Sequence, residues 1–192
     1  ILFGPAILVL AAIGLDFMLG GATPDFNNVD ARRIFGTSTN LCYFIVPFFL
    51  VDVLTNGEEI GWRGYVLPRL QARFSALVSS LILGVVWGLW HLLKFWVAGD
   101  TESFVRAILH NIAMAVLFTW VYSNTNGSLL IVTLFHAAIN TAYVFLPIAS
   151  TVTGDVTLRM ILAGIEFVAA FAVVLATGPA RLSRLAPAQV QV

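Results

Sequence analysis

Charge is what this sequence has least of. Ten basic and ten acidic residues make up 10% of its 192 positions, while 59% are hydrophobic. A soluble domain usually carries about 25% charged residues. So few charges do not cover a water-facing surface, and the expected solvent is lipid. The charges cancel to a formal net charge of zero, which gives no reason to expect nucleic acid as a partner. Cysteine occurs once, at Cys42. That excludes an internal disulfide and any cysteine metal cluster, and the residue reads as a small apolar helix position. The chain enters an apolar run at Ile1 with no methionine and no basic stretch before it. It does not read as a signal peptide, and further N-terminal segments are expected to precede it.

Long apolar runs are what the sequence has in quantity. A membrane helix needs about 20 mostly apolar residues to cross a core about 30 Å thick. Six stretches meet or approach that length, at roughly 1–20, 41–70, 76–97, 104–123, 128–149 and 157–178. Polar, turn-forming stretches separate them: GGATPDFNNVDARR at 20–33, AGDTES at 98–103, SNTNGS at 123–128 and STVTGD at 150–155. Spanning strands would alternate apolar and polar positions, whereas these segments are apolar all round. The expected fold is all-α, a polytopic transmembrane helical bundle of about six segments, in one domain over 1–192 without internal repeats.

Three of the segments carry polar residues where lipid should exclude them. TNGEEIGWRGYVLPRLQARF (55–74) holds Glu58, Glu59 and Arg63; GVVWGLWHLL holds Trp87 and His91; LLIVTLFHAAIN holds His136 and Asn140. An ionised side chain at the bilayer centre costs at least ~2.5–3.5 kcal/mol, so such residues are functional candidates. Positions four apart share a helix face. That spacing pairs Glu59 with Arg63, Trp87 with His91 and His136 with Asn140. Glu58 is turned by about 100° from Glu59, so one glutamate can hold the arginine while the other points elsewhere. Counted from one membrane face, Glu58 lies ~18 Å deep, His91 ~17 Å and His136 ~12 Å. Similar depths on three separate segments argue for one buried site. Taken singly, each residue has a structural explanation: interhelical hydrogen bonds for the histidines and Asn140, an ion pair for Glu59–Arg63, packing for Trp62, Trp87 and Trp90. Glu58 is the hardest to explain that way. His110, near the opposite face, reads as structural or interfacial and outside the site.

A carboxylate, two imidazoles and an amide suit hydrolysis by activated water. Glu58, set between burial and a neighbouring arginine, is fitted to be a general base near neutral pH. His91 would share the water or shuttle its proton, and His136 and Asn140 would donate hydrogen bonds to an oxyanion. The same atoms allow a metal: Glu58, His91 and His136 form a two-His, one-carboxylate set of the kind that binds catalytic zinc with one open position, with Glu59 as base if Arg63 does not hold it. The zinc signature H-E-x-x-H is absent, since HAAIN has alanine at the glutamate position. No G-x-S-x-G supports a serine nucleophile.

EEIGWR, WGLWH and HAAIN resemble the three motifs E-E-x-x-x-R, F-x-x-x-H and H-x-x-x-N of the CPBP intramembrane endopeptidases, the CAAX protease and bacteriocin-processing or Abi family. The resemblance covers roughly residues 50 to 145. It implies a helical membrane protease, in a bacterial or archaeal cytoplasmic membrane, whose site opens within the bilayer toward the cytoplasm. Its substrate would be a peptide or protein entering from the membrane. Carried over, Glu58 activates water, Glu59 and Arg63 support it, and His91, His136 and Asn140 fill the other catalytic positions. The family has been described both as zinc-dependent and as glutamate-dependent. Trp87 stands where phenylalanine is usual; an aromatic ring keeps the wall beside His91, and Trp62 is assigned to the same pocket wall. Two other readings use these residues: a non-catalytic membrane protein that binds a peptide or confers self-immunity, and a proton or metal-ion transporter. Orientation is nearly balanced. Arg69, Arg73, Arg181 and Arg184 lie on one expected face, Arg32, Arg33, Arg106 and Arg159 on the other with Lys94 near it; the family analogy makes the first face cytoplasmic.

Overall fold

The structure, a computed structural model, describes residues 1–27, 29–36, 40–91, 101–148 and 156–184. All regular secondary structure among the described residues is helical. In chain order the helices are α1 (Gly4–Met18), α2 (Asp30–Phe35), α3 (Cys42–Thr55), α4 (Glu58–Gly61), a π-helical turn (Trp62–Val66), α5 (Leu67–Gln71), α6 (Ala76–Trp90), α7 (Thr101–Asn124), α8 (Leu129–Phe145) and α9 (Val156–Thr177). Each expected apolar stretch maps onto helix, with two differences. The polar stretch 20–33 already contains the start of α2, whose first turn carries Asp30 and whose last carries Arg32 and Arg33, the arrangement the helix dipole favours. The stretch 41–70 is not one continuous segment. Asn56, with ψ of 91°, ends α3, and a new helix starts at Glu58. Residues 92–100, with Lys94 and the start of AGDTES, and 149–155, with STVTGD, lie outside the described residues.

Among the described residues, one helix is both long and apolar enough by itself to cross a membrane, at Thr157–Thr177; Gly4–Met18, Ala76–Trp90 and Leu129–Phe145 are apolar but shorter. The chain divides into two compact units, Ile1–Gly57 with Thr133–Ile165, and Glu58–Val132 with Glu166–Val192.

The first unit is built on an aliphatic core in which Val9, Ala12 and Ile13 of α1 meet Ala142 of α8, Ile148, and Leu158 and Leu162 of α9. A phenylalanine cluster joins α2 and α3 to α8: Phe35 stacks on Phe44 at 4.5 Å and on Phe145 at 6.0 Å, and Phe48 meets Phe145 edge-on at 5.6 Å. Helix α3 buries none of its 14 residues, and Tyr43, Val46, Leu50, Val51 and Leu54 are all exposed.

The second unit is organised by the packing of α6 on α7. A Cβ added at Gly84 would stand 2.6 Å from Ile112 Cα, and one at Gly88 3.0 Å from Ile108 Cα. Only glycine lets the backbones approach this closely, and the four-residue spacing puts both on one face. One turn earlier on that face, the Ser80 hydroxyl donates to Thr119 Oγ1 at 2.8 Å. The chain after α9 is tied down as well: Ala76 and Leu77 N–H donate to the carbonyls of Ala180 and Pro179, and Asn124 Nδ2 donates to the Leu182 carbonyl.

Candidate active site

The break at Asn56–Gly57 decides where the two glutamates stand. They become the first turn of a new helix, where the helix dipole favours negative charge. The helix then widens into the π turn Trp62–Val66. Pro68 follows two residues after that turn ends; it has no N–H for the Gly64 carbonyl, and its ring crowds that carbonyl. A wide turn ahead of it relieves both, and such turns recur at functional sites.

Within this segment two side-chain pairs run side by side. Arg63 Nη1 donates to Glu59 Oε1 at 3.0 Å, and both side chains are completely buried. Trp62 Nε1 donates to Glu58 Oε2 at 3.2 Å. The spacing thus predicts the Glu59–Arg63 pair and the separate direction of Glu58. The guanidinium lies over the rings of Trp87, at 4.7 Å, and Phe118, at 4.1 Å, a cation–π arrangement that partly replaces lost water. Nε and Nη2 of Arg63 find no hydrogen-bond partner among the described residues.

Helix α6 brings a second indole to the same carboxylate. Trp87 Nε1 donates to Glu58 Oε2 at 2.8 Å. The ring is fixed edge-on against Phe118 at 5.5 Å and lies 6.2 Å from the His91 ring. His91 closes α6, and its Nδ1 sits 2.9 Å from the Trp87 carbonyl oxygen. A carbonyl only accepts, so Nδ1 carries the proton and the neutral ring has its lone pair on Nε2.

His136 and Asn140 belong to the other unit. His136 is buried on α8. One turn on, Asn140 Nδ2 donates to both carboxylate oxygens of Asp52 on α3, at 3.1 and 3.3 Å. His110 bonds Glu166 of α9, with Nδ1 and Oε2 2.8 Å apart and Glu166 buried. Among the described residues no three His, Cys, Asp or Glu side chains form a group able to hold a metal ion.

Three features escaped the sequence reading. Asp52 is a carboxylate in an apolar run, and the rule that singled out Glu58 applies equally to it. Trp62 stands four residues from Glu58, the spacing that paired Glu59 with Arg63, so its bond was legible. The bond from Trp87 was not, because nothing local relates residues 29 apart.

A family model of Rce1-like type II CAAX prenyl endopeptidases matches residues 38–142, a span that contains every residue named above from Asp52 to Asn140. CAAX prenyl protease 2 of Methanococcus maripaludis is 29% identical over 180 residues, covering 89% of this chain. The chain spans 62% of the length of that curated relative.

Proposed function

Because the chain belongs to the family of Rce1-like type II CAAX prenyl endopeptidases, we propose that it is an intramembrane endopeptidase that hydrolyses a peptide bond with water activated by Glu58. The observation that carries this reading is the Glu58 carboxylate, held by two indole N–H groups beside the buried Glu59–Arg63 pair. A carboxylate kept in place by neutral donors is fitted to exchange a proton with water. Glu58 takes a proton from the water, and the hydroxide adds to the scissile carbonyl carbon. His136 and Asn140 donate hydrogen bonds to the oxyanion, with Asp52 orienting the Asn140 amide. His91, accepting at Nε2, relays the proton to the amine as the C–N bond breaks, which leaves one carboxyl and one amine product.

The proposed setting is the bilayer, with about six helical segments inserted and the site opening toward the cytoplasm. Exposed side chains such as Leu50 and Leu54 on α3 and Val168, Phe171 and Leu175 on α9 support it, because contiguous apolar surface of this kind is costly in water. The proposed substrate is a membrane-associated peptide or protein, prenylated or not.

The test is cleavage of membrane-anchored peptides by the chain in liposomes, with products identified by mass spectrometry. Glu58→Ala, His91→Ala and His136→Ala are each expected to abolish cleavage while the protein still inserts. Full activity in any of them removes that residue from the mechanism. Peptide binding without products would favour a non-catalytic role, and ion flux in sealed vesicles a transporter.

A further inference from the structure

Glu58 receives two hydrogen bonds on the same oxygen. Trp62 reaches Oε2 from one turn along the same helix, and Trp87 reaches it from α6. An indole N–H can only donate, and a carboxylate oxygen has two lone pairs in its plane. The two donors therefore fill Oε2. A proton placed there would have to displace one of them.

We propose that Trp62 and Trp87 are positioning residues that fasten Oε2 of Glu58 and so fix the direction of the carboxylate for its proton exchange with water. This rests on the peptidase reading. Trp87 is fitted to the task because its ring cannot swing: it is 4% exposed, edge-on to Phe118 and covered by the Arg63 guanidinium. Trp62 is braced edge-on against Trp90 at 6.3 Å. The donors come from two helices, so the carboxylate is held against rotation about its last bond. A phenylalanine at either position keeps an aromatic wall and loses the donor.

The experiment compares Trp62→Phe and Trp87→Phe with the parent chain in liposomes. Each variant is expected to lower kcat about tenfold, the effect of losing one hydrogen bond to a charged group. KM should stay within about twofold, since substrate contacts remain, and the unfolding temperature should fall by no more than the loss of one hydrogen bond explains, since ring packing remains. A structural role alone would move the unfolding temperature and leave kcat of the folded fraction intact. The second readout needs no turnover. The chain has five tryptophans, and their indole ¹⁵N–¹H resonances can be assigned from the phenylalanine variants. Those of Trp62 and Trp87 should move in Glu58→Ala while the other three hold still. Unchanged kcat in both variants, or resonances indifferent to Glu58→Ala, overturns the proposal. A parent chain that cleaves no membrane peptide sinks the peptidase reading and the catalytic use of this clamp with it; the resonances would still report whether the clamp exists.

Discussion

Arg63 is the residue on which the local structure turns. Its guanidinium is completely buried, bonded once to Glu59 and faced by two aromatic rings. Removing one member of such a buried pair costs about 3–5 kcal/mol. Arg63→Met should therefore lower stability by about that much in denaturant unfolding, and the double variant Glu59→Gln, Arg63→Met should regain a large part of it. Arg63→Lys should not restore the parent's stability, because an ammonium does not reproduce the flat group lying over Trp87 and Phe118. Asp52 makes a separate prediction. With Asp52→Ala the Asn140 amide loses the partner that orients it, and kcat should fall about tenfold with KM little changed. At this scale the sequence is readable wherever partners are four residues apart. Glu59–Arg63 follows from spacing alone. Asn140–Asp52 and His110–Glu166 join residues 88 and 56 apart, which no helical period connects.

Among the elements, α6 and α7 show how small residues set the packing of helices. Gly84→Ala places a methyl 2.6 Å from the Ile112 backbone, and Gly88→Ala places one 3.0 Å from that of Ile108. Both should destabilise, by about 1–3 kcal/mol, with Gly84 the more severe. The internal control is Gly164 on α9, where an added Cβ meets nothing within 4 Å. Gly164→Ala should be neutral, or stabilise by up to about 1 kcal/mol through helix propensity. Unfolding of the three variants in one detergent checks the order. The break between α3 and α4 belongs to this scale too. Asn-Gly at 56–57 is a turn signal, but apolar sequence on both sides favours reading straight through it. The break places Glu58 and Glu59 at a helix start, a different position from the middle of a long crossing segment.

At the scale of the whole molecule, the proposed solvent is lipid, a proposal that rests on the apolar composition. Phe171 is 63% exposed on the helix best fitted to span a bilayer. Phe171→Arg near the middle of that span should weaken insertion by at least ~2.5 kcal/mol. Glycosylation mapping in a microsomal translation would show it as a reduced inserted fraction. A surface residue of a soluble protein would accept the same change with no such loss.

The sequence by itself determined that this chain is helical, apolar and equipped with a glutamate, two histidines and an asparagine spread over three apolar segments. Hydrophobic composition and four-residue spacing are local properties, and helix geometry converts them into structure without reference to the rest of the chain. Only the tertiary structure decided that Trp87 also holds Glu58, that Asp52 bonds Asn140, and that His110 bonds Glu166. These choices depend on the rotation and closest approach of packed helices. Those are set by the sum of many weak contacts and by glycines such as Gly84, whose role appears only when a neighbouring backbone lies against it.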